Sequence, residues 1–229
     1  MKVSGEYGEE VWEEKIKKQN EVGVISGTVG SIKGIKKNTK EWMQQIDSSV
    51  IPLIKTRGNV LDLGVGPLAR FAIQFAKRGF KVTGLDISQT TLKYAKKHIS
   101  RENLDINLIK GDITELEKIP GRFDFIYCLA TFYHIPPHLT GISLMKINEK
   151  LKKECHALIE FGVLKKKTIK NYIWGVFYRT GHYLKRLFKK GFRINVSLFS
   201  KKEVKEIIIK SGFKIERVLP GNLYLLKKI

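Results

Sequence analysis

Residues 60–88, VLDLGVGPLARFAIQFAKRGFKVTGLDIS, constrain this chain more than any other stretch. Val60–Leu63 is an apolar run that reads as a short buried strand. A glycine-punctuated turn follows, then a helical pattern over Leu68–Arg78 that stops at Gly79, then a second strand, Lys81–Leu85. Two parallel strands need a crossover between them, so this order predicts a parallel α/β sheet. Gly64 lets the chain turn sharply after the first strand, and Gly66 lets the backbone approach a ligand closely. Asp86 stands 20 residues after Gly66 at the end of the second strand, where a carboxylate accepts both hydroxyls of a ribose. The GxGxxG frame reads GVGPLA, with Ala69 in its last position, which leaves the kind of nucleoside cofactor open.

The same alternation continues downstream. Gln89–Ser100 is helical, with Leu92, Ala95 and Ile99 on one face. Strands are expected at Ile106–Ile109, Phe123–Leu129 and Ala157–Phe161, with a helix at Leu139–Lys152. Ser200 and Glu203 form a capping box that opens a helix to Lys210, and Gly212 ends it. Phe213–Leu219 and Asn222–Leu226 read as a hairpin joined at Pro220 and Gly221. The expectation is a Rossmann-like α/β fold: a mostly parallel seven-stranded sheet, an antiparallel C-terminal edge hairpin, and helices on both faces. Residues 1–57 read as an N-terminal helical cap or lid, with helices over Glu9–Lys18 and Thr39–Ile54, the second interrupted near Pro52. Residues 58–229 form the main domain, and 163–199 an insertion within it.

Composition narrows the classes. A length of 229 residues with 42% hydrophobic and 28% charged residues suits one soluble α/β domain with small additions. The two cysteines, Cys128 and Cys155, fall in apolar strand-like runs and read as buried thiols, with no zinc-ligand spacing and no metal expected. The first residues lack an apolar signal region, and no apolar run reaches the roughly 18 residues of a spanning helix. A cytoplasmic location is the expectation. The net charge of +21 admits nucleic-acid binding, attraction to an anionic membrane, or a solvated lysine-rich surface.

VLDLGVG and KVTGLDIS closely resemble the first two motifs of class I S-adenosylmethionine (SAM)-dependent methyltransferases of the small-molecule type. The resemblance covers about residues 58–162, and the last 30 residues look like the tail of the same superfamily. It implies a SAM cofactor. Asp62 would orient the glycine loop and help bind the cofactor's amino-acid part. Gly64 and Gly66 would form the loop, Asp86 would hold the ribose, and Ile87 follows it. LIKGDITEL resembles the third motif, in which Asp112 would bond the adenine amino group with Ile113 against the ring. RFDFIYCLATFYHIPPH resembles the fourth-strand motif, and Leu129 would lie beside the methionine portion. The sequence departs from the commonest pattern in lacking a third glycine soon after the second, with Leu68 and Ala69 in that region.

Ligands of open α/β sheets sit beyond the carboxyl ends of the strands, so Thr131–His134 should face the reacting centre. His134 is the candidate catalytic base, because histidine titrates near neutral pH. Tyr133 is a candidate for the acceptor pocket. Residues 165–193 interleave aromatic and basic side chains, including Trp174 and Tyr178. Three readings stay open for this stretch. It caps a small-molecule acceptor pocket, it binds RNA phosphates and stacks bases, or it rests on an anionic membrane. The ATFYH sequence after strand four, in place of an Asn-Pro-Pro-Tyr type motif, favours a small-molecule acceptor methylated on oxygen or carbon. The alternatives are an RNA methyltransferase and a non-catalytic RNA-binding module on the same fold. Nothing in the sequence sets the oligomeric state.

Overall fold

The computed structural model describes residues 9–21, 32–164 and 197–229. Seven strands form one sheet: β1 (Asn59–Leu63), β2 (Lys81–Asp86), β3 (Ile106–Lys110), β4 (Phe123–Cys128), β5 (Leu151–Glu160), β6 (Phe213–Leu219) and β7 (Leu223–Lys228). Their order is β3-β2-β1-β4-β5-β7-β6. β1 to β5 are mutually parallel, while β7 runs antiparallel to both β5 and β6. The expected hairpin is present, with β6 at the sheet's edge and β7 threaded back inside it. Its turn is carried by Gly221 and Asn222, both at positive φ, 84° and 60°.

Side chains alternate across the buried strands, and each set meets its own layer of helices. Val60, Phe125 and Tyr127 pack with α2 (Ile32–Ser49), α3 (Arg70–Lys77) and α4 (Gln89–Arg101). Leu61, Leu63, Ile126 and Cys128 pack on the other face with α5 (Pro137–Lys150) and α6 (Lys201–Lys210). Cys128 is buried as expected, whereas Cys155 is only half-buried, because β5 begins at Leu151 rather than Ala157 and carries Cys155 on its more open first half.

Residues 32–57 belong to this core. Met43, Ile46 and Val50 of α2 are buried in it, and Trp42 stacks on Phe71 with centroids 5.7 Å apart. Pro52 sits in a short 3-10 turn, Ile51–Leu53, that ends the α2 region. By contrast α1 (Glu9–Glu21) packs against α4 at the carboxyl ends of the strands. The N-terminal stretch expected as one cap thus divides into a core helix and a helix over the cleft.

Two elements are shorter than their apolar patterns. α3 starts at Arg70 rather than Leu68, because Ala69 takes the left-handed conformation, φ 45°. β4 ends at Cys128 rather than Leu129, because Ala130 does the same, φ 58°. Non-glycine residues pay a steric penalty there, and both sit in loops at the strands' carboxyl ends. The α6 capping box forms as expected: the Ser200 hydroxyl accepts from the Glu203 N–H at 3.2 Å, and Glu203 accepts from the Ser200 N–H at 2.7 Å. Ser200→Ala is expected to cost about 1 kcal/mol, seen as a lower urea midpoint with an unchanged slope. No shift in midpoint would mean that α6 is held by its apolar face alone.

Candidate active site

Beyond β1, the N–H groups of Gly64 and Val65 both donate to the Leu85 carbonyl, at 2.8 and 2.9 Å, and tie the turn to β2. Gly64 and Gly66 are at φ 78° and 66°. The two glycines are required for different reasons. A Cβ on Gly64 would stand 2.3 Å from Thr131 Cγ2, so the loops after β1 and β4 touch through the missing side chain. A Cβ on Gly66 would meet nothing nearer than the Gly64 carbonyl at 4.0 Å; it would project into open space at the pocket that both glycines line.

Asp86 governs this loop. Its Oδ2 accepts from the Gly66 N–H at 3.1 Å and its Oδ1 from the Ser88 N–H at 3.0 Å. Each oxygen keeps lone-pair capacity for a further donor. Burial raises the carboxyl to about 6, against the lowering effect of those two bonds.

The pocket is partly open to solvent, and the space at it, open solvent included, is about 800 Å³. Gly64, Gly66, Asp86, Ile87, Asp112, Ile113, Thr131 and His134 line it, joined by Trp12 of α1. Asp112 caps the 3-10 turn that follows, its Oδ1 accepting from the Thr114 N–H at 2.8 Å. His134 closes a one-turn 3-10 helix, with Tyr133 edge-on at 4.5 Å and Trp12 edge-on at 5.1 Å. Asp62, Leu129 and Tyr133 stand outside the lining. Asp62 is 3% exposed beneath the loop, and Leu129 is 3% exposed. Burial raises Asp62 to about 7, the Tyr127 hydroxyl opposes this, and the nearby Asp86 charge adds to it. Trp174 and Tyr178, with the whole basic aromatic stretch 165–193, lie outside the described residues.

Several residues at the cleft carry no local signal. Glu13 looks like any exposed acid of an amphipathic helix. In the fold its carboxylate accepts from the Ser88 hydroxyl at 3.0 Å and the Thr90 N–H at 2.9 Å, clasping α1 to the first turn of α4. Burial would raise Glu13, but the bonds from Thr90 and Ser88 prevail and hold it below the usual carboxylate range. Trp12, next to Glu13, thereby reaches the pocket. Glu160 at the end of β5 accepts from the Ala130 N–H at 2.6 Å, and burial lifts it to about 7. Among the described residues, no cluster of His, Cys, Asp and Glu could hold a metal ion.

A doubly wound sheet with a glycine loop and an acid at its switch point defines a nucleoside-binding α/β protein. A family described as "Methyltransferase domain" matches residues 60–154. An uncharacterized methyltransferase of Schizosaccharomyces pombe is 32% identical over 100 residues, 42% of this chain and 68% of that protein. The ubiquinone biosynthesis O-methyltransferase of Coxiella burnetii is 35% identical over 104 residues, 45% of this chain. This chain spans 40% of the length of that Coxiella relative. Among solved structures, the magnesium protoporphyrin IX methyltransferase of Synechocystis with bound SAH superposes with a TM-score of 0.65 at 16% identity, covering 96% of this chain and 98% of that one. A SAM-dependent methyltransferase of Methanosarcina mazei gives 0.62 at 15% identity, covering 78% and 95%. This chain belongs to the class I SAM-dependent methyltransferase superfamily.

The residues present fit that cofactor. Gly66 leaves a cradle that a Cβ would fill, Asp86 offers its remaining lone pairs beside it, and Ile87 and Ile113 supply apolar walls. The buried acids also make a solution prediction. Folded Asp62 and Asp86 titrate near 7 and 6, above the ordinary 3.8. Between those values the folded chain holds more protons than the unfolded one, so these groups make stability fall as pH rises from about 4 to 7. Asp62→Asn is expected to flatten that fall and to be more stable than the wild type at about pH 8. Urea unfolding of both proteins at about pH 5 and 8 measures it. Equal pH slopes would contradict a buried, proton-holding Asp62.

Proposed function

We propose that this protein is a SAM-dependent methyltransferase acting on a small-molecule acceptor, at oxygen or carbon. One observation carries the reading: a single pocket runs from Asp112 and Ile113, past Asp86 and the glycine loop, to Thr131 and His134. It has a nucleoside end and a reacting end in one cavity. The name of the Coxiella relative, an O-methyltransferase, supports the choice of atom.

SAM, when bound, supplies a methyl group on a positively charged sulfur. The chain's own part is to hold, align and exclude water. In this reading Asp86 holds the ribose hydroxyls, and Asp112 and Ile113 hold the base. Trp12 covers the cavity against water, with α1 clasped shut by Glu13. His134 takes the acceptor's proton, oriented by the edge-on rings of Trp12 and Tyr133.

The segment 165–193 is proposed as the acceptor cap, contributing Trp174 and Tyr178. Its support is where the described residues on either side of it lie. Leu164 donates to the Phe199 carbonyl at 2.9 Å, and Phe199 to the Gly162 carbonyl at 2.9 Å. Ser197 donates its N–H to the Tyr133 carbonyl and its hydroxyl to the Ile135 carbonyl, both at 2.6 Å. The described residues that flank the segment therefore lie beside the loop that carries His134.

Calorimetric titration with SAM tests the reading. Wild-type binding is expected, with Asp86→Asn weakening it about tenfold or more, since charge-assisted bonds contribute roughly 1.5–3 kcal/mol each. A wild type that does not bind SAM refutes the proposal. Incubating host extract with SAM and enzyme, and searching by mass spectrometry for a gain of about 14 Da, identifies the acceptor. With that acceptor, His134→Ala should lower single-turnover rate roughly 10²-fold with SAM affinity nearly intact. Equal rates would remove His134 from the chemistry.

A further inference from the structure

α4 carries charge of one sign only. It reads QTTLKYAKKHISR, with Lys93, Lys96, Lys97 and Arg101 and no Asp or Glu. Its inner face, Thr91, Leu92, Ala95 and Ile99, is buried. The four cations all lie exposed on the outer face. Together with the half-buried Tyr94 they line one open groove. Lys97 Nζ stands 5.4 Å from the centroid of the Tyr94 ring, so the aromatic sits among the charges.

This arrangement works against the helix itself. Lys93 and Lys97 are four residues apart, as are Lys97 and Arg101, and like charges at that spacing destabilise a helix. Elsewhere the chain partners its lysines: Lys77 with Glu102, Lys146 with Glu117, Lys152 with Asp124, Lys227 with Glu154. Among the described residues, Lys93, Lys96, Lys97 and Arg101 make no ion pair. The acids beside them are engaged otherwise. Glu102 follows Arg101 but pairs with Lys77, and Glu13 accepts from Ser88 and Thr90. His98 records the crowding: burial holds it below the ordinary histidine value, and the Arg101 charge adds to this. A repelling strip left without counter-charges contributes nothing to folding, and it suits an anionic partner that supplies them.

The chemistry of the face selects the partner. Lys93 and Arg101 lie about 12 Å apart along the helix axis. The partner must therefore present several negative charges over that length, which a single phosphate does not. The exposed large apolar residues are Leu53, Ile142, Met145, Ile209, Val218 and Ile229, none of them on α4. The face thus lacks the apolar side chains that seat a helix in a membrane interface. Cations interleaved with an aromatic ring are what a single nucleic-acid strand engages, phosphates on the charges and a base on the ring. We infer that the outer face of α4 binds single-stranded nucleic acid, with Lys93, Lys96, Lys97 and Arg101 on its phosphates and Tyr94 against a base. Thr91 lines the cofactor pocket and Lys93, two residues on, lines the groove, so a bound strand passes the rim of that pocket. The inference goes beyond the methyltransferase reading and uses none of the residues assigned to it.

Fluorescence anisotropy of the full chain with a labelled single-stranded RNA of mixed sequence tests the assignment. Binding is expected, with the logarithm of affinity falling against log salt by about 0.7 for each phosphate contacted. Lys93→Gln combined with Lys97→Gln should reduce that slope by about 1.4 and weaken binding roughly tenfold. Lys201→Gln combined with Lys205→Gln removes the same charge from exposed positions of α6 and should leave affinity within about threefold. Tyr94→Ala should weaken binding roughly fivefold or more with the slope unchanged, because stacking releases no counterions. The α4 double variant should unfold at a urea midpoint no lower than the wild type, since it relieves like-charge repulsion, and this separates a lost contact from a lost fold. A wild type that does not bind overturns the inference, as do equal losses in the α4 and α6 variants or full affinity in Tyr94→Ala. So does an α4 double variant that keeps its RNA affinity but no longer sediments with phosphatidylserine vesicles, which would make the partner a membrane.

Discussion

The Asp86 carboxylate organises the cleft. It ends β2, yet it bonds the N–H of Gly66 from the loop after β1 and the N–H of Ser88 at the start of α4. Three elements are therefore fixed relative to one another by one side chain. The loop it gathers is the floor of the pocket, and the Ser88 it positions caps α4 by accepting from the Thr91 N–H at 3.0 Å. The same Ser88 donates to Glu13, so the helix covering the cleft is attached to the group that shapes its floor. Buried carboxylates cost stability unless they accept several bonds, and here the bonds are backbone donors that the ligand site needs in place.

The neighbouring loops are built with strain and close contact. Ala69 and Ala130 both adopt left-handed geometry where glycine would be more comfortable. Ala130 is held there through its N–H to Glu160, and Gly64 is held against Thr131 with no room for a side chain. Such conformations persist where surrounding contacts over-determine them, and they end β4 and delay α3 at the cleft. The shortened elements leave space at the strands' carboxyl ends where regular structure would have filled it.

Charge is handled locally as well. Burial raises Asp62, Asp86 and Glu160 toward neutrality, with Arg70 the cation among them. A chain of net charge +21 thus gathers acids at its cleft. An acidic floor suits a cofactor that arrives with a positive sulfur.

The local sequence determined the sheet, its helices and the cofactor loop. Apolar runs of strand length, glycines at fixed offsets and an acid 20 residues on are short-range signals, and short-range backbone sterics read them without help. The capping box of α6 and the edge hairpin were legible for the same reason. Asp86, Asp112 and Ile113 could be placed because each ends or closely follows its strand. Element ends were less legible, since Ala69 and Ala130 take left-handed conformations, the latter with its N–H bonded to Glu160 of β5. Tertiary structure alone decided the rest. Glu13 and Trp12 become cleft residues because α1 docks on α4, more than 70 positions away in sequence for the Ser88 and Thr90 bonds. Glu160 reaches the Ala130 N–H only because β5 lies next to β4. Long-range partners of this kind leave no periodicity in the chain, for their meaning lies in which strand ends the sheet brings side by side.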